Sequence, residues 1–184
     1  IPVQGPKERG FVELSLDYFV IGFTHILPKG LDHILFVVGL FLLSIRMRPL
    51  VWQISAFTVA HTVTLAMGIT GVVEISPRIV EPLIALSIVY VAVENILTDN
   101  LQRWRPVVVF GFGLLHGLGF AGVLTEIGLT ENDFLTGLIA FNLGVEAGQL
   151  ALGLLAVEVL QVGLGQVQIA IAFGVGLDHG HREL

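Results

Sequence analysis

From His25 to Leu43 the chain reads HILPKGLDHILFVVGLFLL. Two histidines and an aspartate surround a proline and a glycine, and a run of almost pure hydrocarbon follows. Pro28 and Gly30 are turn residues that interrupt a helix, and Asp32 is a good N-cap for the next one. The stretch therefore predicts a broken or re-entrant helix near residues 25–33. Backbone breaks at membrane depth are tolerated where they line a cavity, and they commonly mark binding sites.

The composition around this break is that of a membrane protein. Of 184 residues, 54% are hydrophobic and only 13% charged, with mean hydropathy +0.88, against about 25% charged residues in a soluble domain. A membrane helix needs roughly 20 mainly apolar residues. Leu31–Ser44, Pro49–Val73, Pro77–Leu97, Pro106–Thr125 and Phe134–Val157 meet or approach that length, and Val159–Leu177 is a sixth apolar stretch. Phe11–Leu27, which carries Glu13 and Asp17, is a short span or an amphipathic or re-entrant helix that ends at Pro28-Lys29-Gly30. The expected fold is an all-α polytopic transmembrane bundle of six or seven helices. A tail over residues 1–10 precedes the bundle at 11–177, and a polar tail follows at 178–184.

Charge orients the bundle. Arg46 and Arg48 follow the second segment, Arg103 and Arg105 follow the fourth, and both loops fall on one face. By the positive-inside rule that face is cytoplasmic. Trp52 and Trp104 lie near the same interface, and Pro49, Pro77 and Pro106 open spans where their missing N–H does least harm. The net charge of −6 is small and scattered, and no basic stripe suggests a nucleic-acid partner. The absence of cysteine removes disulfides, thiolate metal sites and Cys nucleophiles. No HExxH, serine elbow or nucleotide loop points to an enzyme.

Several ionisable residues interrupt the hydrocarbon, each costing at least about 2.5–3.5 kcal/mol at membrane depth unless partnered. They are His61 in FTVAHTVTL, Glu81 and Glu94 around PLIALSIVYVAV, His116 in FGLLHGLGFA, and Glu146 in FNLGVEAGQ. Thr58, His61, Thr62 and Leu65 share one helical face, as do Asn142, Glu146 and Gln149. Glu81 has Arg78 one turn earlier, which predicts a local ion pair. Gly113, Gly117 and Ala121 form a small-residue stripe for close helix approach, and Gly144 and Gly148 form another. His25, Asp32 and His33 combine imidazole with carboxylate, a ligand set suited to nickel, cobalt, zinc or copper. Taken alone, the same three residues also fit a capped turn with interfacial side chains.

Taken in order, GFTHILPKGLDHILFVVGLFLL, FTVAHTVTL, VEPLIALSIVYVAVEN, FGFGLLHGLGFA and FNLGVEAGQ resemble the HupE/UreJ family of hydrogenase and urease accessory membrane proteins. The resemblance covers roughly residues 20–150. It implies a nickel permease or nickel-supply protein, with His25, Asp32, His33, His61, Glu94, His116 and Glu146 as metal residues. The family's His-x5-Asp-His signature is here one residue longer, with the extra residue in the Pro-Lys-Gly turn. The expected path starts with His25, Asp32 and His33 at an outer mouth. It continues to an intramembrane site of His61, His116 and Glu146, with Asn95 and Asn142 as neutral helpers. The expected partners are the lipid bilayer, a divalent metal ion, and partner membrane subunits or further copies of the chain. The alternative is a non-transporting metal-binding or structural subunit of a larger membrane complex.

Overall fold

The computed structural model describes residues 10–43, 46–98, 102–127 and 133–180, of which 121–127 and 164–180 as backbone alone. The described residues form six helices: α1 (Phe11–Ile26), α2 (Leu31–Leu43), α3 (Met47–Ile69), α4 (Pro77–Leu97), α5 (Arg105–Ile127) and α6 (Phe134–Gly180). Three of them, α3, α4 and the Phe134–Gly163 part of α6, are long and apolar enough to cross a membrane. The protein is therefore a helical membrane bundle. Most of the N-terminal tail, with Lys7 and Arg9, and residues 181–184 of the C-terminal tail lie outside the described residues.

Two sequence expectations change. At 13 residues α2 is about 20 Å long, too short to cross about 30 Å of hydrocarbon by itself. It passes as a span only together with α1, from which it is bent by 69°. The break at Pro28-Lys29-Gly30 therefore interrupts a pair of half-length helices. The second change is at the C-terminal end. The two apolar stretches from Phe134 onward belong to one continuous 47-residue helix, α6, because Val157-Glu158-Val159 contains neither Pro nor Gly to end it.

The break itself is compact. Gly30 N–H donates to the Ile26 carbonyl at 3.1 Å, and Ile34 N–H to the Gly30 carbonyl at 2.9 Å. A Cβ at Gly30 would run into the His25 carbonyl oxygen, so only glycine lets the start of α2 fold this closely against the end of α1.

In a bilayer the hydrophobic effect does not drive helices together, and close packing of small residues does so instead. The two glycine stripes behave this way. Gly113 and Gly117 lie against the Phe57 and His61 carbonyls of α3, while Gly144 and Gly148 lie against Phe19, Phe23 and Ile26 of α1. The pairs α3–α5 and α1–α6 make the most extensive contacts among the described helices, and the second sets the His25 ring 5.8 Å from Phe141 of α6. Leu86, Val89, Val59, Val63 and Leu143 remain exposed on the perimeter, as lipid-facing side chains should.

The core has two apolar clusters. One joins Leu14, Tyr18, Ile26, Leu65, Phe141 and Val145, and the other joins Phe36, Leu40, Ile54, Phe57, Val91 and Val109. The polar site lies between them.

Candidate metal centre

Serine and threonine survive in apolar helices by bonding to their own backbone. Thr24 donates to Val20, Thr58 to Ile54 and Thr62 to Thr58, each to the carbonyl one turn back. Imidazoles seldom close such a bond, so a buried histidine must find its partners on other helices. In this chain four histidines find one another.

His25 ends α1 and His33 occupies the first turn of α2, and the turn between them sets their rings 4.8 Å apart. His33 also lies 4.9 Å from the His116 ring on α5 and 6.0 Å from the His61 ring on α3. Two overlapping triads result, His25–His33–His61 and Asp32–His33–His116. In each, one ligand atom per residue lies within 4.8 Å of the others. His33 belongs to both.

The surroundings are largely apolar, although Asp32 keeps 40% of its side-chain surface exposed. His33, His61 and His116 are buried, and aromatic rings wall them in. Phe120 lies 3.9 Å from His25, Phe57 5.6 Å from His33, and Phe36 5.4 Å from His116. His25 Nε2, His33 Nε2, His61 Nε2 and His116 Nδ1 are all buried without a hydrogen-bond partner. One orphaned polar atom in hydrocarbon is costly, and four of them in two triads that share His33 are a strong departure from normal satisfaction. The other ring nitrogens of three of these histidines are engaged. His33 Nδ1 lies 3.2 Å from Asp32 Oδ1, His61 Nδ1 lies 3.0 Å from Asn142 Oδ1, and His116 Nε2 lies 3.3 Å from Ser87 Oγ. Asp32 Oδ2 reaches His116 Nδ1 at 3.8 Å. A neutral imidazole held at one nitrogen and free at the other is the usual state of a histidine ligand. The free atoms fit a borderline divalent cation.

The depth of this site differs from the sequence expectation. His61 lies eight residues before the end of α3, about 12 Å inside it, and His116 is eleven residues from either end of α5. His25, Asp32 and His33 are beside these residues, not above them. His25, Asp32 and His33 of the expected outer mouth and His61 and His116 of the expected inner site form one cluster, because the helix break packs beside α3 and α5, while Glu146 lies apart from it.

Two of the seven sequence candidates lie elsewhere. Glu94, near the end of α4, pairs through Oε2 with Arg105 Nε at 3.4 Å. Arg105 is not a loop residue: it opens α5 with only 1% of its surface exposed. Asn95 joins the same group, accepting from Arg105 Nη2 at 3.4 Å and donating to the Gly39 carbonyl of α2 at 2.8 Å. Glu146 accepts a 2.6 Å hydrogen bond from Ser55. Glu81 and Arg78 are both exposed and make no ion pair with each other. Asn142 appeared in the sequence as a helper, whereas Ser87 did not. No pattern in ALSIVY separates Ser87 from the many hydroxyls that bond only to their own helix.

No curated protein and no solved structure is detectably similar to the chain. The sequence profile of the HupE / UreJ protein family matches residues 5–172, nearly the whole length, and the histidine cluster falls within that match. The chain belongs to the HupE/UreJ family.

Proposed function

We propose that the protein is a permease for a borderline divalent transition-metal ion, with nickel the first choice of cargo, in a bacterial inner membrane. The observation that carries this reading is that four partnerless imidazole nitrogens, from α1, α2, α3 and α5, belong to two triads that share His33. Imidazole with carboxylate suits nickel, cobalt, zinc and copper, while magnesium and calcium favour all-oxygen sites. Asp32 supplies one negative charge, which lowers the net charge of a bound dication and so the cost of holding it away from water. His25, Asp32, His33, His61 and His116 are the ligand set of this proposal. Because His33 is common to both triads, an ion can exchange one set of outer ligands for the other without release. Glu146, one helical turn beyond Asn142, is the next carboxylate towards the inner end. Glu94 already has Arg105 as its counter-ion, so it enters as part of the inner closure. The reading assigns no chemical reaction to the chain.

The burial of His33, His61 and His116 favours a second reading, in which the chain retains its metal as a supply or structural subunit. Proteoliposomes loaded with a nickel-responsive dye separate the two. Permease activity requires uptake by the wild type and its loss in His33→Ala. Near-stoichiometric metal with no uptake in the wild type favours retention and overturns the permease reading.

A further inference from the structure

Neither Ser87 nor Asn142 belongs to the proposed ligand set, yet each holds the outer nitrogen of a ligand histidine. Their own hydrogen bonds decide which way those contacts run. The Ser87 hydroxyl has a single proton, and it donates that proton to the Ile84 carbonyl at 2.7 Å. It therefore accepts from His116, so the hydrogen is on His116 Nε2. The Asn142 amide is oriented by Nδ2 donating to the Leu138 carbonyl at 2.8 Å. Its Oδ1 is then an acceptor, and the hydrogen of His61 is on Nδ1.

We infer that Ser87 and Asn142 are positioning residues that fix opposite tautomers of His116 and His61, so that His116 presents Nδ1 and His61 presents Nε2 to the ion. The inference rests on the metal-binding reading above. It accounts for the identity of the orphaned atoms, since the two lone pairs left free are His116 Nδ1 and His61 Nε2. It also accounts for the gap beside Asp32. With the proton on Nε2, the His116 Nδ1 lone pair faces Asp32 Oδ2 across 3.8 Å with no hydrogen between them. Two electron-pair donors held face to face repel each other until a cation enters. Metal–ligand distances of about 2.0–2.2 Å place two ligands of one ion about 3–4 Å apart, which this spacing matches. The opposite tautomer would put a hydrogen on Nδ1 and aim it at the carboxylate, turning the same gap into a long hydrogen-bond contact. Ser87 is held to its own helix and Asn142 to its own, so the tautomers are set before any ion arrives.

The test reads the tautomers in metal-free protein. Nitrogen-15 histidine labelling in detergent micelles distinguishes Nδ1–H from Nε2–H, with resonances assigned from His61→Gln and His116→Gln. The wild type should show His116 protonated at Nε2 and His61 at Nδ1. Ser87→Ala should abolish the His116 preference and weaken nickel(II) binding about 10–100-fold, and Ser87→Thr should restore both. Asn142→Leu should do the same to His61, with Asn142→Asp retaining the acceptor and the affinity. A proton on His116 Nδ1 in the wild type overturns the inference. So does a folded Ser87→Ala protein with unchanged tautomer and affinity, or a folded Ser87→Thr protein that restores neither. A wild type with the stated tautomers that binds no nickel, cobalt, zinc or copper overturns the metal reading, and the positioning role falls with it.

Discussion

Two polar groups, one buried except at Asn95 and one buried except at His25 and Asp32, occupy different parts of this bundle, and they are finished differently. Where the end of α4 meets the start of α5, Glu94, Asn95 and Arg105 bring both signs of charge: Arg105 faces Glu94 at 3.4 Å, and Asn95 ties them to α2. Deeper in, His25, Asp32, His33, His61 and His116 bring one carboxylate and four imidazoles, with four ring nitrogens left over. The first group contains its own cation. The second is arranged around the place for one. Both cost solvation energy when buried, so burial alone does not distinguish a structural cluster from a binding site. What distinguishes them is whether the chain itself supplies the opposite charge.

Removing Arg105 tests this contrast most severely. Arg105→Leu leaves Glu94 as an uncompensated buried charge and should cost about 3–5 kcal/mol of stability, read from thermal unfolding in detergent. The double variant Arg105→Leu/Glu94→Leu should recover most of that loss. Recovery would show that the pair matters as a neutral unit, and no recovery would assign a separate role to one partner.

In the histidine cluster the shared residue should dominate. His33→Ala removes a ligand from both triads and should lower nickel(II) affinity by about 100-fold or more, near 2.8 kcal/mol, measured by calorimetric titration. His25→Ala touches one triad and should cost about tenfold. Equal losses from the two would contradict a shared His33.

Packing affects the same site at one remove. Gly117→Ala places a methyl group against the His61 carbonyl and Thr64. It should destabilise the bundle by about 1–3 kcal/mol and weaken metal binding by separating His116 from His61. Glu146→Gln should have the smallest effect on binding, within about twofold in the same titration, because Glu146 hydrogen-bonds to Ser55 outside the triads. A large loss of affinity in this variant would move Glu146 into the ligand set.

The sequence itself settled that the chain is a helical membrane protein. Hydrocarbon runs of span length and a 13% charged fraction leave few other homes for these residues. It also exposed the costly positions, since His61, His116, Glu94 and Glu146 stand out against their neighbours. It located the break at Pro28 and Gly30, because these residues disrupt helices by local sterics. Tertiary structure decided which polar residues meet. His25 and His33 are adjacent in sequence to a turn, but their distance from His61 and His116 depends on how far the bent pair descends. That depth is set by glycine contacts between helices distant in the chain. Glu94 and Arg105 are eleven positions apart in the chain, so their pairing follows from the packing of α4 on α5. Ser87 acquires its role only because the hydroxyl of one helix comes to rest on the imidazole of another. Local propensities and hydropathy act over a few residues and are legible in order. Charge balance and tautomer choice depend on neighbours in space, and only the folded bundle supplies those.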